Sequence, residues 1–216
     1  MNKMILLLIG FVLSSYLFAQ PLASIPEMVD YRKDMLPVRD QTKDGNCLAI
    51  AATSVIEWQR KSKEYFSPRF IYDNRKDAHE LDVQDLILIL KTKGVCFEKS
   101  YPIGTSGNIS DKAFREALNY TISDCKKIKS IDELKAALYL NGLCIICFQI
   151  YNRTNQMWKP IDGNRVIGMH SMCIVGYNSN GFILRNSWGA NWGDGGYCVF
   201  PYTDWKWQWE CWTLIK

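Results

Sequence analysis

Apolar residues in the first half of the chain recur at intervals of three and four positions, which is the period of an amphipathic helix. Asn46 is placed to cap a helix over about residues 47–60, because an Asn side chain accepts a hydrogen bond from the free amides of a first turn. The last predicted helix begins with Ser130 and Glu133, which have the spacing of a capping box, and should end at Gly142. This last helix is 130–140, and the two further predicted helices are 82–93 and 110–120.

Beyond Gly142 the pattern changes to short apolar runs rich in β-branched and aromatic residues, which are typical of strands. Residues 178–181, Asn-Ser-Asn-Gly, have the composition of a hairpin turn. Loops are expected over 104–108 and 152–165. The five predicted strands are 143–151, 170–177, 182–186, 197–202 and 212–215.

This order of elements, helices first and strands afterwards, predicts an α+β protein. We expect one domain over residues 20–216, with a helical lobe over about 28–130 and a β lobe over about 131–216. A site that draws residues from both lobes would lie in the cleft between them.

The N-terminus has a different pattern, in which Lys3 is followed by an almost unbroken apolar run over residues 4–18. This pattern is typical of a cleavable secretory signal, which we assign to residues 1–19. A membrane anchor is the alternative, although the run is a little shorter than the roughly 20 residues that span a bilayer. The signal predicts a secreted or periplasmic protein that is not bound to a membrane after cleavage.

The charges are nearly balanced, with 26 Lys and Arg against 22 Asp and Glu, and they are spread along the chain rather than clustered. This distribution gives no indication of a nucleic-acid partner. The eight cysteines are compatible with disulfides in an exported protein, but if one is a nucleophile, at least one of the other seven stays unpaired. Cys144 and Cys147 have C-x-x-C spacing, yet residues three apart on a strand point to opposite faces, which favours packing over a metal or redox pair.

Four side chains supply the groups that thiol-based acyl transfer requires. Cys47 would be the nucleophile, and its place on the first turn of a helix, with a nearby imidazolium, would favour the thiolate. His170 would hold the thiol proton, Asn186 would orient the imidazole, and Gln41 would donate to the oxyanion. Trp188 would shield the His170–Asn186 hydrogen bond from water. Each residue taken singly is as well explained by packing or a turn, so the combination carries the prediction.

The surrounding sequence resembles the papain-like cysteine peptidases over about residues 28–202. His170 lies 123 residues after Cys47 and Asn186 lies 139 residues after it, close to the roughly 130–150 typical of that family. The segments that carry the resemblance are VDYR (29–32), PVRDQ (37–41), QTKDGNC (41–47), HSMCIVGY (170–177) and NSWGANWGDGGY (186–197).

The resemblance implies a papain-like fold, with a helical N-terminal lobe, an antiparallel β-barrel-like C-terminal lobe and the active site between them. It implies a peptidase for protein or peptide substrates that requires no metal or organic cofactor, and we expect a monomer. Carried over by position, Cys47 is the nucleophile, His170 the acid and base, Asn186 the orienting residue, and Gln41 an oxyanion donor together with the backbone amide of Cys47.

The chain also departs from the family pattern. Asp44 stands where relatives have a cysteine that forms a disulfide, so that bridge is not expected, and Leu48 replaces an aromatic residue. The Gly-Gly pair that usually lines the substrate cleft has no clear counterpart between residues 74 and 85. Few residues separate the signal from the start of the peptidase-like sequence near Met28, so we expect activity to be controlled by something other than a long propeptide.

The leading hypothesis is therefore an exported cysteine peptidase. A catalytically inactive binding module and a thiol hydrolase of cell-wall peptide bonds are the alternatives. Ser171 and Met169 flank His170 and are expected, together with Trp188, to contact the substrate.

Two further features have simpler interpretations. His79 lies among charged residues and is interpreted as a solvated loop residue. Trp205, Trp207 and Trp209 alternate with polar residues, which in an extended segment would place three indoles on one side. Such a stripe would bind a partner or, as we favour, pack against its own lobe.

Overall fold

The computed structural model describes residues 25–41, 46–76, 80–105, 107–161 and 163–216. The helices are α1 (Cys47–Gln59), α2 (Pro68–Asp73), α3 (Val83–Thr92), α4 (Asp111–Ala117) and α5 (Ile131–Asn141). The strands are β1 (Val29–Asp30), β2 (Asp124–Ile128), β3 (Cys144–Ile150), β4 (Gly168–Asn178), β5 (Gly181–Arg185), β6 (Tyr197–Pro201) and β7 (Gln208–Ile215). Short 3-10 turns lie at Arg32–Asp34, Leu118–Tyr120 and Tyr202–Trp207.

Side-chain caps define most helix starts, as the sequence predicts for α5. The hydroxyl of Ser130 accepts the Glu133 amide at 3.2 Å, while the Glu133 carboxylate reaches the Lys129 amide at 2.8 Å rather than that of Ser130. The helix ends at Gly142, where φ is +87°. The short helix α2 was not predicted, although Ser67 caps it and Pro68 occupies its first turn, both of which are start signals.

Helix α1 begins at Cys47 as predicted, but its cap is different. Asn46 is buried, and neither Oδ1 nor Nδ2 of its side chain has a hydrogen-bond partner among the described residues. The Asn46 backbone carbonyl accepts the Ile50 amide at 3.0 Å, as in any first helical turn. The predicted side-chain cap is therefore wrong, and the start of α1 is fixed by tertiary packing.

The strands form one antiparallel sheet in the order β2-β7-β3-β4-β5-β6, with β1 added beside β4. The edge strands β2 and β6 do not pair with each other, so the sheet stays open and the expected barrel-like closure is not found. The five predicted strands are confirmed. Strands β1 and β2, which sequence analysis missed, are drawn from the half of the chain expected to be helical.

The core lies on both faces of this sheet. Helix α1 packs on β3 and β4, and Ala49, Ala52 and Val55 are fully buried there. Cys147 belongs to this α1 side of the core, whereas Cys144 belongs to the other side, so the two thiols face apart as predicted. Helix α1 is buried from Leu48 to Glu57, and its first residue, Cys47, lies beside Ser171 near the start of β4.

The tryptophan stripe expected near the C-terminus is not formed. Trp205 and Trp207 lie in a 3-10 turn rather than an extended segment, and both pack partly buried against the core. Trp209, on β7, is 63% exposed. The favoured packing interpretation is thus confirmed for two of the three indoles.

All eight cysteines are free thiols in the structure. No helix among the described ranges has both the length and the apolar character needed to cross a bilayer. The predicted signal over residues 1–19 and the loop residue His79 lie outside the described residues.

Candidate active site

Cys47 lies half-buried on the first turn of α1, where it faces β4. The amide and the hydroxyl of Ser171, and the amide of Leu48, donate hydrogen bonds to its sulfur. Ser171 directly follows His170, so the sulfur lies beside the backbone next to the imidazole. The structure therefore brings together residues from α1 and β4 that are more than a hundred positions apart.

His170 is held in one tautomer by Asn186. Its Nε2 lies 2.8 Å from Asn186 Oδ1, and the same oxygen accepts the Ser187 amide at 2.8 Å. Because a backbone N–H can only donate, the atom of Asn186 that faces both groups is an oxygen, and Nε2 must carry the proton. The other ring nitrogen, Nδ1, is then the one left to exchange a proton with a thiol.

Aromatic rings enclose this hydrogen bond. The Trp188 ring lies 4.7 Å from the His170 ring, and Trp192 packs edge-on against Trp188 at 5.7 Å. His170 and Asn186 are 3% and 2% exposed, respectively. Exclusion of water lowers the local dielectric and strengthens the bond that orients the imidazole.

Burial also sets the charge state of both reacting groups. It lowers the pKa of His170 to about 4, although the hydrogen bond to Asn186 opposes this shift. Burial raises the pKa of the Cys47 thiol, and the Ser171 and Leu48 hydrogen bonds only partly offset it. The sequence predicts a stabilised thiolate beside an imidazolium, whereas in this conformation desolvation favours the neutral pair.

Gln41 is tied to the segment that carries Asn186. The Ser187 hydroxyl donates to Gln41 Oε1, and the backbone N–H of Gln41 donates to the Ser187 backbone carbonyl at 2.8 Å. With its carbonyl oxygen held by Ser187, the side-chain amide of Gln41 presents its N–H donors at the opposite end. This role of Ser187 was not predicted, although the residue lies within the Asn-Ser-Trp-Gly motif.

A buried ion pair lies next to the segment that precedes Gln41. Arg39 donates to Glu57 Oε1 and to the Phe66 carbonyl, each at 2.7 Å, and also pairs with Glu98. The Arg39 carbonyl accepts the Gly189 amide at 2.9 Å, which holds the segment before Gln41 against the one after Asn186. No sequence signal singled out this pair, because Arg39 and Glu57 look like ordinary surface charges in the sequence.

The residues expected to contact substrate have different surroundings. Ser171 is buried and lies 3.2 Å from the Cys147 sulfur, so it lines the wall behind Cys47. Met169 is 43% exposed at the start of β4, and Trp188 is partly exposed over His170. The departure at Asp44 falls outside the described residues.

Within the described ranges, no group of three or more His, Cys, Asp or Glu side chains could hold a metal ion. The arrangement can perform acid–base chemistry at a thiol. Its elements are one sulfur with hydrogen-bond donors, one oriented imidazole and one carboxamide held by its oxygen.

Comparison with known proteins places these features in a family. The model for papain family cysteine proteases matches residues 25–206. Cysteine proteinase 3 of Entamoeba histolytica is 29% identical over 196 residues, covering 80% of this chain and 61% of the relative. Mouse cathepsin K is 25% identical over 202 residues, covering 81% and 59%. The chain thus spans about three fifths of the length of these two relatives.

Solved structures show the same fold. Xylellain, a cysteine protease from Xylella fastidiosa, superposes with a TM-score of 0.81 at 27% identity, covering 90% of this chain and 87% of the other. Digestive procathepsin L 3 of Tenebrio molitor gives a TM-score of 0.68 at 20% identity, covering 89% and 70%, which supports the fold alone. The expected α+β papain-like fold is confirmed.

Proposed function

Because the chain belongs to the papain family of cysteine proteases, we propose that it is an exported peptidase that hydrolyses peptide bonds through a thioester on Cys47. The observation that carries the proposal is the Nε2–Asn186 hydrogen bond, which leaves Nδ1 of His170 as the base next to the strand position that contacts sulfur. The relatives are proteases, so an inactive binding module is not favoured. The apolar run after Lys3 supports export, and we propose a monomer that acts outside the cytoplasm.

The reaction begins with the neutral pair. Nδ1 of His170 takes the proton from Cys47 as the sulfur attacks the substrate carbonyl, and the carbonyl electrons move to its oxygen. The Gln41 side-chain amide and the Cys47 backbone amide donate to that oxyanion. When the carbonyl re-forms, the C–N bond breaks and His170 gives its proton to the leaving amine.

The second half repeats these roles with water. Nδ1 takes a proton from water, hydroxide adds to the thioester carbonyl, and collapse breaks the C–S bond. The proton returns to sulfur, and the carboxylic acid leaves. Because burial lowers the pKa of His170 to about 4, the imidazole is neutral and able to act as a base across the neutral pH range.

Replacing Gln41 by alanine is expected to lower kcat by roughly 10²- to 10³-fold, because one oxyanion donor is lost. The change should leave KM for a peptide substrate nearly unaltered, since the donor acts mainly in the transition state. Ser187→Ala should give a smaller loss, on the order of tenfold, because it removes the group that orients Gln41. Steady-state kinetics with the exposed Gln156→Ala variant as the control measure both effects; equal rates for Gln41→Ala and wild type would exclude Gln41 as a donor.

A peptidyl epoxide directed at papain-like thiols tests the proposed function. We expect one adduct per chain, on Cys47, together with complete loss of peptide hydrolysis. Six of the other seven thiols are buried, and the half-buried Cys125 lies on the edge strand β2, separated from β4 by β7 and β3. Peptide mapping by mass spectrometry locates the adduct, and the same spectra of exported protein should show an N-terminus near residue 20. Hydrolysis that survives full modification of Cys47, or an adduct spread over several cysteines, would contradict the mechanism.

A further inference from the structure

The chemistry assigns the two sides of the scissile bond to different parts of the site. His170 gives its proton to the leaving amine, so the part of the substrate that follows the scissile bond must leave beside the imidazole. Trp188 covers that imidazole at a ring distance of 4.7 Å. The outer surface of Trp188 is therefore the first protein surface available to the leaving segment.

Arg153, which is exposed, packs against Trp188. Its guanidinium carbon lies 5.4 Å from the centre of the Trp188 ring, within the range of a cation–π contact. The Trp192 indole donates to the Arg153 carbonyl at 3.0 Å, which fixes the backbone of the β3–β4 connection at this point. The position of the guanidinium is thus set by two tryptophans rather than by a free loop.

No acidic side chain among the described residues forms an ion pair with Arg153. Asp204 pairs with Lys159 at 2.8 Å, and Asp194 pairs with Arg32 at 3.7 Å. Arg153 is exposed, so its positive charge is available to a ligand. The charge is also close enough to the imidazole to contribute to the lowered pKa of His170.

The spacing fits a short peptide. The His170 and Trp188 rings are 4.7 Å apart, and the Arg153 guanidinium carbon is 5.4 Å from the Trp188 ring centre. The guanidinium therefore lies within about 10 Å of the imidazole, which is the length of about three residues of extended chain. A carboxylate on the first or second residue after the scissile bond would reach Arg153, whose planar fork of donors matches a carboxylate.

We propose that Arg153, stacked on Trp188, forms a carboxylate-binding subsite for the leaving side of the substrate. The enzyme would then prefer peptides with an acidic side chain, or a free C-terminal carboxylate, within two residues after the scissile bond. This inference rests on the proposed peptidase function and defines the substrate class of that site.

The test compares matched peptides that share one cleavage site. One pair carries Glu or Gln at the first or second position after the scissile bond, and another ends two residues after it as a free acid or an amide. For the wild type we expect kcat/KM to be about two- to fivefold higher for the acidic member of at least one pair, as for one partly exposed charge pair. The preference should weaken as the salt concentration rises.

Arg153→Gln should bring this ratio close to one, and Arg153→Glu should reverse it. The ratio is measured with two substrates on one enzyme preparation, so a loss of folded protein does not change it. Arg165→Gln, an exposed arginine of the same connection, serves as the control and should keep the wild-type ratio. A response to Glu alone identifies side-chain recognition, and a response to the free acid alone identifies the C-terminal carboxylate.

Two results would overturn the inference: a wild-type ratio near one for every pair, or a preference that persists in Arg153→Gln. Both differ from failure of the proposed function, in which the wild type would cleave none of the peptides.

Discussion

Replacing Cys47 by alanine is expected to abolish peptide hydrolysis, with a fall in kcat on the order of 10⁴- to 10⁶-fold. The sulfur is the atom that forms the thioester, and no neighbouring group of the site can take its place. Ser171 and Cys147 lie behind it, but both are buried, and burial raises the pKa of Cys147 to about 12. The residual rate should reflect only substrate binding and the oxyanion donors.

The control for this prediction is Cys125→Ala. Cys125 is a half-buried thiol on β2, so the two variants lose the same atom from different places. Circular dichroism should show that both variants are folded, while only Cys47→Ala loses turnover in a fluorogenic assay. Turnover in the Cys47 variant at more than a hundredth of the wild-type rate would place the nucleophile elsewhere.

Replacing Arg39 by methionine is expected to lower the free energy of unfolding by about 3–5 kcal/mol. Arg39 and Glu57 are buried, with side chains 6% and 3% exposed and 2.7 Å between nitrogen and oxygen. Loss of the guanidinium leaves the Glu57 carboxylate without the cation it is bonded to, and one of its oxygens, Oε2, already has no hydrogen-bond partner in the part of the chain that the structure describes. The Phe66 carbonyl would lose its donor as well.

The size of this effect should depend on pH. Burial raises the pKa of Glu57 above its ordinary value of 4.5, and Arg39 opposes the shift, so the methionine variant should raise that pKa further. A carboxyl with a raised folded-state pKa contributes stability below its unfolded pKa and loses that contribution as pH rises through the folded one. The deficit of the variant should therefore be smaller at pH 5 than at pH 8.

Urea denaturation at both pH values measures these differences. Arg32→Met is the control, because Arg32 pairs with Asp30 at the surface and its loss should cost less than about 1 kcal/mol. The double variant Arg39→Met/Glu57→Leu should recover much of the loss, since it removes both charges of the buried pair and leaves neither one facing an apolar side chain. Equal free energies of unfolding for Arg39→Met and Arg32→Met would show that the buried pair stabilises the fold no more than the surface pair does.

The catalytic inventory and most regular elements could be predicted from the sequence because their signals are local. Ser130 and Glu133 mark the start of α5, and the change of period after Gly142 marks the strands. Spacing and motif placed Cys47 at the head of α1 and Asn186 after β5. Such signals depend on neighbours within a few positions, where the chain itself limits the choices.

Other features had no local signal. Strands β1 and β2 are short or polar, and they become strands only because β4 and β7 supply partners. Trp205 and Trp207 alternate with polar residues as a strand would, yet packing against the core bends them into a 3-10 turn. In both cases contacts with distant residues outweighed the local pattern.

Which groups are present for acyl transfer, and the class of fold that holds them, follow from the amino-acid sequence. The orientation and charge state of these groups follow from folding: the Nε2-protonated tautomer of His170, the Ser187 hydrogen bond that orients Gln41, and the upward shift of the Cys47 pKa. Gln41 and Ser187 are 146 positions apart, and their contact exists only after the chain has folded. Charge state and orientation depend on burial and on partners brought from far along the chain, which no local pattern specifies.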